Sequence, residues 1–159
     1  MIRSRGASTS ISKSRCARSR RVLHRLALLL ALAAVPAAAS DASDLSVQVT
    51  NLRSAAGTVH VGLYNSPVDF PTSRVWQERV VPAGTATAVF SGLAPGSYAL
   101  AVFHDENGNG EFDQGFLGIP LEGYGFSNGA RVFLGPPRFD AARIVLGDAG
   151  ASITIAVVY

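Results

Sequence analysis

The segment His104-Asp-Glu-Asn-Gly-Asn-Gly-Glu-Phe-Asp113 gathers the residues of this 159-residue chain best suited to chemistry. Its pattern, D-x-N-x-N-G-x-x-D, sets side-chain oxygens at Asp105, Asn107 and Asn109, a glycine at Gly110 and a further carboxylate at Asp113. Ca2+ takes about six to eight hard oxygen ligands, so short oxygen-bearing side chains alternating around a glycine turn suit it. The same order fills the first nine positions of an EF-hand calcium loop. On that pattern Asp105, Asn107 and Asn109 offer side-chain oxygens, Glu111 its backbone carbonyl, and Asp113 a carboxylate, directly or through water. The twelfth position, where an EF-hand has a bidentate Glu, is Phe116, and no flanking helices are evident. The expectation is a shorter calcium loop of the kind found in extracellular modules, its shell completed by Glu122 or by a carbonyl. A metal-free turn held by side-chain-to-backbone hydrogen bonds uses the same residues and remains open as a reading.

Other chemistries find less support. His60 and His104 with a carboxylate have the donor types for Zn2+, but nothing in their spacing brings them together. Serines are present without a G-x-S-x-G elbow. The acids Asp105, Glu106, Glu111, Asp113 and Glu122 leave a metal-dependent hydrolase or an acid pair for glycoside cleavage open, though metal ligation accounts for them more simply. No glycine-rich phosphate loop precedes a helix. Tyr124 and Phe126 stand between glycines in Gly118–Gly129. They suit an aromatic platform for a glycan or peptide, or pins that hold a long loop to its scaffold.

The elements that position these residues begin after an unusual N-terminus. Residues 1–39 carry eight of the fourteen Lys and Arg and no acid. The apolar stretch Leu26–Val35 follows the basic region, and Pro36-Ala-Ala-Ala-Ser40 offers an A-x-A site with a cut after Ala39. This order is that of a secretory signal peptide. The apolar stretch falls well short of the ~20 residues that span a bilayer. Arg20-Arg21 leaves twin-arginine as well as general export open. What remains, residues 40–159, holds six Arg, no Lys and eleven Asp or Glu, a net charge of −5. The +3 of the whole chain thus belongs to the leader, and nucleic-acid binding is not expected. Cys16, the only cysteine, leaves with the leader. A disulfide, a thiolate metal site and a thiol nucleophile are therefore excluded from the remaining domain.

That domain reads as strands. Leu45, Val47 and Val49 alternate with polar residues, as do Val59, Val61 and Leu63, so 45–64 is expected to form a hairpin through Gly57. Further strands are expected at Val75–Val81, Thr85–Phe90, Tyr98–Phe103, Ala142–Leu146 and from Ile153 to the last residue. Turns at Gly92–Gly96 and Gly147–Gly150 separate them. About seven short strands without a long helical period predict an all-β, antiparallel sandwich in one domain. Residues 105–140 hold eight glycines and three prolines. Phe112, Phe116, Tyr124, Phe126, Phe133 and Phe139 make this an ordered excursion rather than a disordered one, expected against one end of the sandwich.

The run from Gly92 through Asp113, with Gly118-Ile-Pro, Glu122-Gly-Tyr-Gly-Phe-Ser-Asn128 and Gly135-Pro-Pro137 in order, resembles a bacterial domain of unknown function, number 2141. The resemblance covers about residues 44–159. It implies an exported protein of about this length and brings no catalytic residue with it. The segment G-L-x-P-G-x-Y, followed by alternation, is also similar to transthyretin-like and carboxypeptidase-regulatory-like sandwiches, which implies an Ig-like or transthyretin-like fold and lowers the expectation of an enzyme. Together these features predict a periplasmic or secreted envelope module with an unidentified partner. No cofactor other than Ca2+ is expected.

Overall fold

The computed structural model describes residues 42–159; the leader expected over residues 1–39 lies outside them. Eight strands form two sheets. β1 (Ser43–Thr50), β4 (Thr87–Leu93) and β8 (Ala151–Ala156) form one, with β1 in the middle. The other contains β2 (Thr58–Tyr64), β3 (Gln77–Pro82), β5 (Gly96–Asp105) and β6 (Gly123–Phe126), in the order β3-β2-β5-β6. β7 (Ile144–Leu146) pairs with the first residues of β5. The only α-helix among the described residues is the single turn Phe139–Ala142. No helix among them is long and apolar enough to cross a membrane.

The period-two pattern works as the sequence predicts. Leu45, Val47 and Val49 of β1 meet Val59, Val61 and Leu63 of β2 in one core, with Phe90 of β4 and Leu100 of β5 among them. The expected hairpin over 45–64, however, does not form. β1 pairs with β4 and β8, whereas β2 pairs with β3 and β5. The chain arches from one sheet to the other, so both apolar faces look inward at each other instead of lying side by side. Gly57 is needed for this arch. Its φ is +70°, and a Cβ there would lie 2.0 Å from the Asp105 carbonyl oxygen.

All pairings are antiparallel but one: β8 runs parallel to β1. The Gly147–Gly150 turn carries the chain from β7, on the β5 side, to the free edge of β1, and it arrives there in the direction of β1. The last strand also ends earlier than expected, at Ala156. Val157 still bonds Thr50 of the first sheet, while Val158 pairs with Tyr124 of the second. The C-terminal residues therefore tie the two sheets together.

The excursion does more than close one end. Its second half lies on the outer face of β2 and β5, where Phe139 and Ala142 are buried with Tyr64, Phe70 and Ala99, and Phe126 packs beside them. Ser127, fully buried, accepts the Leu100 N–H at 2.9 Å and donates to the Ala142 carbonyl, fastening this cover to β5. Both faces of that sheet are thus covered, which is why four consecutive residues at the end of β2 are buried. β6 lies inside the excursion and escapes sequence reading because half of it is glycine. Those glycines are steric requirements: a Cβ on Gly125 would sit 2.8 Å from the Ala156 carbonyl oxygen, and one on Gly123 would sit 2.5 Å from the Tyr159 ring.

Candidate functional site

The acidic loop leaves the C-terminal end of β5. Alternation along β5 sends Tyr98, Leu100, Val102 and His104 inward and Phe103 and Asp105 to the outer face. Asp105 is 1% exposed. Its Oδ1 accepts the N–H groups of Gly108 at 2.7 Å and Asn109 at 3.2 Å, and its Oδ2 that of Gly110 at 2.8 Å. One carboxylate thereby winds the following five residues into a tight turn, helped by positive φ at Gly108 and Gly110. Asn107 Oδ1 accepts the Asn109 N–H at 2.9 Å, and Asn109 Oδ1 the Glu111 N–H at 2.8 Å. The amide groups of Asn107 and Asn109 both donate to Asp113.

Four of the five residues singled out in the sequence are therefore joined in one hydrogen-bonded cluster: Asp105, Asn107, Asn109 and Asp113. Glu111 joins through its backbone N–H, and its side chain is exposed. Among the described residues no three His, Cys, Asp or Glu side chains converge as a metal-holding group. Any cation shell here must draw on amide and backbone oxygens as well as carboxylates, a mixture that Ca2+ accepts.

The surroundings are polar and partly buried. His60 of β2 shares the outer face with Asp105, its Nε2 3.7 Å from Asp105 Oδ2 and its Nδ1 2.9 Å from Glu78 Oε1. Its ring stacks on Phe103 at 4.4 Å. His104 points the other way, into the sandwich, with Nδ1 2.7 Å from the Tyr159 hydroxyl and Nε2 2.8 Å from the Ala56 carbonyl. The two histidines thus occupy opposite faces of one sheet and share no site. The sequence gives no local sign that His60 approaches Asp105, since only the β2–β5 register brings them together.

Burial works to raise the Asp105 carboxyl, but the N–H donors of Gly110, Gly108 and Asn109, with the His60 charge, outweigh it and hold it below the usual carboxylate range. Glu106 is also held low. Its hydrogen bond from Arg53 is the main cause, and Ser54 adds a second donor.

Tyr124 and Phe126 are half-buried in an aromatic row. Phe112 contacts Phe103 and Tyr124, Tyr124 contacts Phe126, and Phe126 contacts Phe70. They also border a groove of about 470 Å3 between β6 and β8, walled by Ala130, Val132 and Ile155 among others.

A two-sheet β-sandwich of eight strands, with an oxygen-rich turn at the end of its longest strand, defines the class of this protein. The chain belongs to the bacterial family described as "Uncharacterized protein conserved in bacteria (DUF2141)", whose model matches residues 47–154. That match runs from β1 into β8 and includes the whole acidic loop. No curated protein and no solved structure matches the chain.

Proposed function

We propose that this protein is a non-catalytic binding or structural module of the bacterial cell envelope, periplasmic or secreted, whose loop Asp105–Asp113 is organised by a calcium-type cation. The observation that carries the reading is the buried Asp105 carboxylate. It winds the chain into a turn within which the amides of Asn107 and Asn109 donate to Asp113. Each accepting amide oxygen keeps a second lone pair for an ion. The net charge of −5 over residues 40–159 favours cations at this surface. The basic, apolar and small-residue order of the N-terminus supports export.

The test is thermal unfolding of the purified protein in EDTA and then in Ca2+ or Mg2+. An ion that binds only the folded state raises the midpoint by mass action. With a dissociation constant of about 0.1 mM, as in extracellular modules, about 1 mM Ca2+ contributes roughly 1.4 kcal/mol and a rise of about 5 °C. The rise is expected to vanish in Asp105→Ala. No shift in the unaltered protein at millimolar ion sinks the cation reading.

The groove favours a second reading, a glycan- or peptide-binding protein, because Tyr124 and Phe126 both border it. On that reading Tyr124→Ala and Phe126→Ala lose binding to a glycan or peptide array while keeping a cooperative unfolding transition. Binding unchanged in both variants removes it.

A further inference from the structure

The loop lacks the bidentate glutamate that closes an EF-hand, because its twelfth position is Phe116. A different glutamate lies against it. Glu122 directly precedes β6, and the β5–β6 register that pairs His104 with Gly123 sets Glu122 opposite Asp105 one step further on. Glu122 is 5% exposed. Its Oε2 accepts the Asp113 N–H at 3.3 Å, so the carboxyl group abuts the loop. Its Oε1 has no hydrogen-bond partner and is the one buried side-chain polar atom among the described residues left so. Arg53 pairs with Glu106 and lies over the Tyr159 ring, and it makes no hydrogen bond to Glu122.

A buried carboxylate oxygen without a donor is costly, and native proteins answer such an atom with an ordered water or an ion. A divalent cation offsets the charge of this carboxylate and takes oxygen ligands of any type. We infer that Glu122 Oε1 is a ligand of the loop cation, replacing the missing twelfth-position glutamate from a separate strand. This rests on the reading of Asp105–Asp113 as a cation loop.

The assignment has a mechanical consequence. Asp113 and Glu122 are the two ends of a short finger. The Leu121 N–H bonds the Asp113 carbonyl at 3.0 Å, the Gly115 N–H bonds the Ile119 carbonyl at 2.7 Å, and Gln114 bridges to Pro120. The finger carries Phe116 and Leu117 outward, 85% and 82% exposed. An ion held by both ends clamps this apolar tip to the end of β5, so ion occupancy sets how firmly the tip is presented.

Calorimetric titration with Ca2+ and NMR hydrogen exchange on the purified protein test this together. Glu122→Gln keeps the shape and removes one ligand charge, and affinity is expected to fall at least about tenfold, since ligand charge sets calcium affinity. Asp148→Asn, at an exposed acid of the Gly147–Gly150 turn outside the loop, is expected to retain the affinity of the unaltered protein. In that unaltered protein Ca2+ is expected to slow exchange of the Asp113 and Leu121 amides. This readout stands even where Glu122→Gln does not fold. Equal Ca2+ affinity in Glu122→Gln, or Ca2+ binding that leaves both amides unprotected, overturns the role of Glu122 and leaves the loop reading intact. No Ca2+ binding to the unaltered protein overturns both.

Discussion

Replacing Asp105 by alanine is expected to lower the stability of the folded domain by about 2–4 kcal/mol, with no metal present. Three backbone N–H groups lose a charged acceptor at once, and bonds to charged groups contribute about 1.5–3 kcal/mol each before solvent replaces part of them. The loss is spread through the turn, because Gly108, Asn109 and Gly110 are all held by this one side chain. The pH dependence follows from the depressed carboxyl. A carboxylate held below its ordinary range contributes stability that is full above that range and is lost as pH falls through the lowered value. Acidification from about pH 7 to about pH 3 should therefore destabilise the protein. Asp105→Asn should flatten that acid limb without abolishing it, because Glu106 is depressed as well. Denaturant midpoints measured across this range give the answer. An Asp105→Ala midpoint equal to that of the unaltered protein would mean the carboxylate does not organise the loop.

The other large effect lies in the core. Phe90 is fully buried where β4 faces the second sheet, and the Arg79 guanidinium covers its ring at 5.0 Å. Phe90→Ala is expected to cost about 3–5 kcal/mol, from lost transfer energy and from the cavity left in packing that relaxes only partly. In urea the midpoint should fall with little change in slope, since the surface exposed on unfolding is nearly the same. Val89 is the internal control. It neighbours Phe90 on β4 but faces outward and is 47% exposed. Val89→Ala should change stability by no more than about 0.5 kcal/mol. A Phe90→Ala effect as small as that of Val89→Ala would contradict a shared core between the sheets.

The acidic loop was legible because its chemistry is local. Asp105, Asn107 and Asn109 bond backbone groups two to five residues away, so spacing alone announces the turn. The β-sandwich was legible for a similar reason. Alternation in Leu45–Val49, Val59–Leu63 and Tyr98–Val102 states which side of each strand is buried, whatever strand lies beside it.

Which strands pair is a different kind of information. A hairpin and an arch between sheets have the same inward-facing residues, and only packing decides between them. The arch at 51–57 follows from the fit of Gly57 against Asp105, contacts made far apart in the chain. β6 was hidden because Gly123 and Gly125 read as loop, yet they are small to admit Tyr159 and Ala156, some thirty residues further along the chain. The His60–Asp105 approach and the placement of Glu122 opposite Asp105 depend on strand register, which no local pattern encodes. Sequence thus determined which residues are buried and where the chain turns, since those follow from period and composition. The tertiary structure alone decided which distant oxygens meet, because that depends on how two sheets and a C-terminal tail fit together.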